Sequence, residues 1–304
     1  MFTVLTATYN RRHTLPRAYA SLCAQTFRDF EWVIVDDGSA DGTADQVRSW
    51  QLDAAFPIRY FYQPNAGKHV AFNHGVREAA GDLLLSFDSD DSCVPHALER
   101  FKVHWDTIPK AENFSTLSAL CVDEEHDVIG GEYAADVVDT PSFLQQYRLR
   151  SAERWGVNRT DVLREFPFPE ISGERFIPEA VVWNRISRKY SARFVNEKLR
   201  IYHANPDGLC ASLVRIRAEN PRGARLYYSE LAQASLPAAE KLKALLNYIR
   251  FSFHAGIHPS RVISECNAAA VVAMLLPLGY AAYRRDCVQL RRSPAPAETR
   301  AQFA

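Results

Sequence analysis

Four short apolar runs, at residues 2–6, 32–35, 58–62 and 83–87, punctuate the N-terminal third of the chain. Each is the length of a buried strand, and residues 15–24, 43–50 and 70–79 between them repeat their apolar positions at helical spacing. Strand and helix in alternation predict an α/β fold built on a mainly parallel sheet with helices on both faces. Beyond about residue 110 the rhythm loosens. A further strand is expected at 116–121, followed by a polar, glycine-containing stretch at 123–131 that reads as the acceptor side of a site. From 225 to 290 the pattern turns helical, with Leu226, Leu231, Leu242, Leu245, Leu246, Ile249 and Phe253 at helix-like spacings. Residues 268–283 are almost wholly apolar but are interrupted by Pro277 and Gly279 and closed by Arg284 and Arg285. That is short of the roughly 20 residues of a membrane span, and suits a buried helix or one lying in a membrane interface.

The pattern divides the chain into residues 1–215 and a helical region, 216–290, followed by a tail, 291–304, whose Pro, Ala and charge content predicts disorder. In the first part, 1–110 would bind the donor of a reaction and 111–215 its acceptor. Lys plus Arg and Asp plus Glu balance at 36 each, which argues against a surface that coats nucleic acid. The six cysteines (Cys23, Cys93, Cys121, Cys210, Cys266 and Cys287) form no C-x-x-C pair and read as reduced, buried thiols. Residues 1–6 read as a first strand and not as a signal peptide, so a cytoplasmic protein is expected, with the C-terminal helices as the part that would meet the inner face of a membrane.

In open α/β sheets ligands bind beyond the carboxyl ends of the strands. The polar residues concentrate there: Thr8, Tyr9 and Asn10 after the first strand, Asp36, Asp37, Gly38 and Ser39 after the second, and Asp88, Ser89, Asp90 and Asp91 after the fourth. Asp88 and Asp90 stand two apart on an extended chain, so both carboxylates can turn to one divalent cation while Ser89 faces elsewhere. Hard oxygen ligands suit Mg²⁺ or Mn²⁺, and such ions suit a diphosphate. Asp91 reads as the blandest of the three, a carboxylate on a solvated loop or in a first helical turn. The Asp36 to Gly42 stretch taken alone is an ordinary Asp-Gly turn with Ser39 or Asp41 as a helix cap.

Together these segments resemble the family 2 glycosyltransferases of the GT-A fold, inverting enzymes that use nucleotide sugars. The resemblance rests on Thr6-Ala7-Thr8-Tyr9-Asn10-Arg11, Gln25-Thr26-Phe27, Val35-Asp36-Asp37-Gly38-Ser39, Asn65-Ala66-Gly67-Lys68, Asn73-His74-Gly75, Ala80-Gly81-Asp82 and Phe87-Asp88-Ser89-Asp90-Asp91. It covers about the first 110 residues and continues more weakly to about 210. It implies a Rossmann-like GT-A domain followed by a helical extension, and it assigns roles. Tyr9 would pack on the base, Asp37 would accept a hydrogen bond from it with Asp36 nearby, and Thr8 and Asn10 would line the same site. Asn65, Gly67 and Lys68 would close around the nucleotide. Asp88, beside Ser89, would face ribose or metal, and Asp90 would bind the Mn²⁺ or Mg²⁺ that bridges the diphosphate. His203, after a late strand, could join the metal or a phosphate, although a merely buried or exposed histidine is the commoner case. His69 and His74 lie on turns of one helix beside Lys68, so that one of them could line the donor pocket.

An inverting enzyme also needs a base for the acceptor hydroxyl. The family supplies it from a Glu-Asp pair ahead of a helix bearing Trp and Arg. Here that stretch is Gly173 to Arg185, in which Glu179 precedes Trp183 by four positions and Pro178 replaces the first acid. Glu179 is the candidate base and Glu174 the second choice, while an acid in the first turn after Pro178 would also stand there for structural reasons alone. The resemblance thus implies a nucleotide diphosphate sugar donor, with uridine the commoner base, and a saccharide or lipid-linked acceptor of a surface polysaccharide. Peripheral membrane contact through 226–290 is one expectation for the helices and a homodimer another. The competing classes are a sugar-nucleotide scaffold that has lost chemistry, against which the acidic motif and a base stand, and a nucleotidyltransferase. The latter normally opens with a Gly-rich phosphate loop where this chain has Thr8-Tyr9-Asn10.

Overall fold

A computed structural model describes residues 1–150, 152–203 and 213–292. The chain forms two compact units. The first comprises Met1–Phe168 and Val182–Ala204, and the second joins Pro169–Val181 to the C-terminal helices.

In the first unit β1 (Phe2–Thr8), α1 (Leu15–Cys23), β2 (Phe30–Asp36), α2 (Thr43–Asp53), β3 (Ile58–Tyr62), α3 (Lys68–Glu78) and β4 (Leu83–Ser86) follow in strict alternation. The short β5 (Ser92–Cys93), α4 (Ala97–Asp106), β6 (Phe114–Val122), β7 (Val137–Thr140), α5 (Phe143–Leu149), β8 (Arg154–Arg159), α6 (Thr160–Glu165), α7 (Ala180–Ile186) and β9 (Ser191–Ile201) complete it, α7 beginning in the segment assigned to the second unit. The strand order is β3-β2-β1-β4-β8-β6-β9-β5, with β7 on β9. From β3 to β4 the pairs are parallel, as the alternating pattern predicts. β8 then inserts antiparallel between β4 and β6, so the whole sheet is mixed. Only Trp155 and Val157, two apart, announce β8 in the sequence, since Arg154-Trp155-Gly156-Val157-Asn158-Arg159 is half polar.

Every residue of β2 is buried, which is what a central strand covered on both faces requires. Where threonines interrupt the apolar run of β1 they are bonded internally, Thr3 Oγ1 to Glu31 Oε1 at 2.6 Å and Trp32 Nε1 to Thr6 Oγ1 at 3.0 Å. Tyr19 of α1 stacks on Trp50 of α2 with ring centroids 4.4 Å apart, closing one face of the core over Trp32. Cys93 and Cys121 are buried as expected, but Cys23 is exposed, on the outer face of α1 in the same turn that buries Ser21 and Leu22, and Cys266 and Cys287 are only half-buried. Cys210 lies outside the described residues.

The second unit contains α8 (Leu213–Glu219), α9 (Pro221–Gln233), α10 (Ala238–His254), α11 (Pro259–Ser264) and α12 (Ala269–Arg292). Leu245, Tyr248, Ile249, Val262 and Val272 form its core. Gly279 lets α12 approach α10 closely, since a Cβ there would stand 2.4 Å from Ile249 Cγ2. Among the described residues no helix is long and apolar enough to cross a membrane. Of the expected tail, residues 293–304 lie outside the described residues.

Candidate active site

β1 and β2 end level, Thr8 opposite Asp36, while β4 stops at Ser86 opposite Leu5 and its chain runs on through Phe87, which brings the segments after the three strands to the carboxyl edge of the sheet. The loops after β1 and β2 are bonded to each other, and the loop after β2 is bonded in turn to the loop after β3. Asn10, at a φ of +50°, donates its N–H to Ser39 Oγ at 2.8 Å and accepts the Ala40 N–H on Oδ1 at 2.9 Å. Gly38, at a φ of +92°, lies against the loop after β3, and a Cβ there would come within 2.8 Å of the Asn65 nitrogen.

Asp36 and Asp37, expected to meet the nucleotide, are 1% and 3% exposed and act within the protein. Asp36 accepts the Ser39 N–H at 2.7 Å and the Tyr60 hydroxyl at 2.6 Å. Asp37 accepts Gln63 Nε2, Ala66 N–H and Gly67 N–H at 2.8, 2.9 and 2.8 Å, so its carboxylate shapes the loop that ends in Lys68. Burial raises the Asp37 carboxyl and these three donors oppose the rise. His74 reaches the same device through Gln63 Oε1 at 3.0 Å, while His69 is buried in α3. Two buried oxygens along this edge, Thr8 Oγ1 and Asn65 Oδ1, have no hydrogen-bond partner among the described residues. Buried polar atoms of this kind are normally satisfied, so a polar ligand at this edge would complete them.

The acidic segment after β4 is held by two cations. Lys68 Nζ, at the N-terminus of α3, meets Asp88 Oδ1 at 2.8 Å, and Arg200 Nη2 of β9 meets Asp88 Oδ2 at 2.9 Å. Burial alone would raise the Asp88 carboxyl, but Lys68 and Arg200 hold it well below the usual carboxylate range. Asp91 is not the solvated carboxylate that its place in the sequence suggests. It is 1% exposed, takes Arg200 Nε at 2.6 Å together with Arg200 Nη2, and accepts the His203 N–H at 3.0 Å. Its own burial pushes this carboxyl up to about 6 against the pull of Arg200. Arg200 further meets Glu153 at 3.3 Å. His203 is bonded on both ring nitrogens, Nδ1 to Glu124 at 2.5 Å and Nε2 to Ser92 at 2.9 Å, and so stands beside the acidic segment. Ser89 is buried, and Arg17 donates to the Asp90 carbonyl at 2.9 Å.

Among the described residues no three His, Cys, Asp or Glu side chains converge as a ready-made metal cage. The donor set nevertheless fits a divalent cation that shares its coordination with a ligand. Asp88, Asp90, Asp91, Glu124 and Glu153 stand against Lys68, Arg200 and Arg17, which leaves two formal negative charges. Mg²⁺ and Mn²⁺ are commonly held by one or two carboxylates plus phosphate oxygens and water. Asp90, two positions beyond Asp88, is the carboxylate that the resemblance to the family assigns to such an ion.

The two candidate bases fare differently within their own unit. Glu174 is 7% exposed and accepts the Arg222 and Gly223 N–H groups at 2.8 and 2.7 Å, which makes it the cap of α9. Burial raises its carboxyl and these bonds offset part of the rise. Glu179 is exposed immediately before α7. Trp183, four positions on, packs edge-on against Phe72 of α3 and Phe168 at 6.3 Å each. Arg200, Gln63, Tyr60 and Glu153 were not singled out from the sequence. Arg200 could have been, as a charged residue inside an otherwise strand-like Leu199 to Tyr202 run, but its partners lie more than a hundred residues away in the case of Asp88 and Asp91.

Residues 3–113 match the family profile described as Glycosyl transferase family 2. The first strands, the three stapled loops and the acidic segment all lie within the matched region. An uncharacterized glycosyltransferase of Nostoc sp. is 37% identical over 128 residues, covering 42% of this chain and 37% of the relative. The GalNAc(5)-diNAcBac-PP-undecaprenol beta-1,3-glucosyltransferase of Campylobacter jejuni is 26% identical over 206 residues, 66% of this chain and 63% of the relative. The chain therefore spans less than two thirds of the length of either. In fold it is similar to residues 1–349 of S. aureus TarS, solved in complex with UDP-GlcNAc, with a TM-score of 0.60 at 17% identity over 94% of this chain and 81% of that one. The architecture is the GT-A fold with a helical C-terminal region.

Proposed function

We propose that this chain is a metal-dependent inverting glycosyltransferase that moves a sugar from a nucleotide diphosphate sugar, UDP-linked by preference, to a hydroxyl of a saccharide or lipid-linked acceptor. The observation that carries the reading is the array Lys68–Asp88–Arg200–Asp91 at the carboxyl ends of β1, β2 and β4, next to two buried oxygens in want of partners. The family match supports the reaction class, and the printed names of the relatives support a UDP-sugar donor and a polyprenyl diphosphate-linked acceptor.

In this reading Tyr9, Thr8 and Asn65 receive the nucleoside, while Asp36 and Asp37 keep the surrounding loops in shape. Lys68 and Arg200 fix Asp88 and present positive charge to the diphosphate. A Mn²⁺ or Mg²⁺ on Asp90, with His203 beside it, would neutralise the departing diphosphate when bound. Glu179 accepts the proton of the acceptor hydroxyl as its oxygen attacks the anomeric carbon, and the nucleoside diphosphate leaves from the opposite face. Fixed charges of this kind stabilise the anion that develops in the transition state without reorganising. The surface-polysaccharide setting, peripheral membrane contact through 226–290 and cytoplasmic placement follow from a lipid-linked acceptor. Homodimer formation through the same helices is the alternative use of that region.

The test is calorimetric titration of UDP, GDP, TDP and CDP with and without Mn²⁺, followed by turnover of the matching sugar nucleotide on a polyprenyl diphosphate-linked saccharide. One nucleotide should bind in a Mn²⁺-dependent manner, Asp90→Ala should abolish that dependence, and Glu179→Gln should bind the donor normally but lose about 10²–10⁴-fold in rate. No nucleotide binding by folded protein would return the scaffold reading, and full activity in Glu179→Gln would remove that residue as base.

A further inference from the structure

The helix α12 (Ala269–Arg292) buries one face and leaves the opposite one open along its whole length. Val272, Gly279 and Asp286 are its buried residues and mark the inner face, seven positions apart. On the outer face Met274 is 72%, Leu278 60% and Val288 47% exposed. At 3.6 residues per turn Ala270, Met274, Leu278, Ala281, Arg285, Val288 and Arg292 share a single outward stripe. Its first half is apolar and its second half is basic. The exposed charges of the helix are Arg284, Arg285, Arg291 and Arg292, all of one sign. The helix has one acid, Asp286, which is 1% exposed and fully engaged inward by Arg250 at 2.5 Å and His254 at 3.1 Å. Among the described residues of the helix itself no exposed acid compensates the arginines.

We infer that the outer face of α12 docks the protein on an anionic phospholipid surface, with Met274 and Leu278 entering the acyl boundary and Arg284, Arg285, Arg291 and Arg292 meeting headgroup phosphates. Charge complementarity selects this occupant over a second copy of the chain, because two such faces would set arginines against arginines in a parallel pair and bury them unpaired on the apolar half in an antiparallel one. Each basic residue near an anionic bilayer strengthens binding by about 1 kcal/mol, about fivefold in partition. The inference makes the peripheral contact of the proposed function specific in place and chemistry, yet its test needs neither donor nor acceptor.

The experiment is flotation of the full chain with vesicles of phosphatidylcholine alone and of phosphatidylcholine with an equal part of phosphatidylglycerol, at low and high salt. Binding is expected to the anionic vesicles, weakened by salt. Arg284→Glu with Arg285→Glu should lower it by at least about 25-fold, two arginines at about fivefold each. Met274→Ser with Leu278→Ser should lower it at both salt concentrations. These side chains are exposed, so the variants should keep the wild-type circular dichroism, and nucleotide binding reports separately on the donor site. Equal binding to both vesicle types, no binding, or binding untouched by either pair overturns the inference. So does sedimentation showing a dimer that Met274→Ser with Leu278→Ser dissociates, which would assign the face to a second copy.

Discussion

Replacing Arg200 by methionine keeps a long apolar stem in β9 and removes only the guanidinium that joins Asp91, Asp88 and Glu153. Asp91, 1% exposed, would keep the His203 N–H at 3.0 Å as its bonded partner and lose its counter-ion. Removing one member of a buried ion pair typically costs about 3–5 kcal/mol, because the other is left charged out of water. Asp88 contributes less to the loss, since it is a third exposed and retains Lys68 at 2.8 Å. Glu153, 42% exposed and 3.3 Å from Arg200, belongs with surface pairs, whose loss costs about 0–1 kcal/mol. Arg200→Met should therefore lose about 3–5 kcal/mol and Glu153→Gln no more than about 1 kcal/mol. Urea unfolding followed by the fluorescence of tryptophans in the first unit, such as the buried Trp155, measures both.

The sign of the pH dependence follows. Without Arg200 the Asp91 carboxyl rises further above its unfolded value, and a raised carboxyl contributes stability below the unfolded carboxylate range that is lost as pH rises through the folded value. The penalty of Arg200→Met should thus grow from acid to neutral pH. Adding Asp91→Asn, which removes the stranded charge, should recover part of it. A cost equal to that of Glu153→Gln, or a double variant no more stable than the single one, would refute the account of Arg200 and Asp91 as a buried lock.

Glu174→Ala should lose about 1–2 kcal/mol of stability by uncapping α9 while turnover per folded molecule stays unchanged. A loss of turnover at wild-type stability would restore Glu174 as the base. In the second unit burial lowers the His254 pKa, with Asp286 opposing and Arg250 reinforcing the fall. A histidine depressed in the fold contributes stability that is present above its ordinary value and lost as pH falls through the folded one. The unfolding midpoint of the α10–α12 pair should accordingly drop on acidification below about pH 6.5, and the drop should shrink in His254→Gln. Parallel pH profiles for the two proteins would rule this out.

The alternating half of the fold was readable because its information is local. Each strand of the β3-β2-β1-β4 block is an apolar run, each ends in polar residues, and the ends meet as the parallel rule requires. β8 escaped notice because a strand inserted between two others is stabilised by neighbours on both sides, whatever its own polarity. The site was readable as to place and less so as to role. The carboxylates of Asp36 and Asp37 look alike from the sequence whether they face a ligand or a backbone N–H, and their bonds to Tyr60, Gln63, Ala66 and Gly67 become visible only in the fold. Asp91 looked bland for the same reason, since its partner Arg200 is more than a hundred residues distant. Glu174 and Glu179 were likewise separated only by the N-terminus of α9 that one of them caps.

The mutual bonding of the loops after β1, β2 and β3 bears on how such a site can change. Asn10 is fastened to Ser39 and Ala40, Asp37 to Ala66 and Gly67, and Gly38 has no room beside Asn65 for any side chain. A substitution or a transplanted stretch in one of the three breaks contacts owned by another, so the effects of single changes will not add. Redesign of nucleotide preference on this scaffold has to exchange the three loops as one cassette, and divergence among natural sequences should move them in concert.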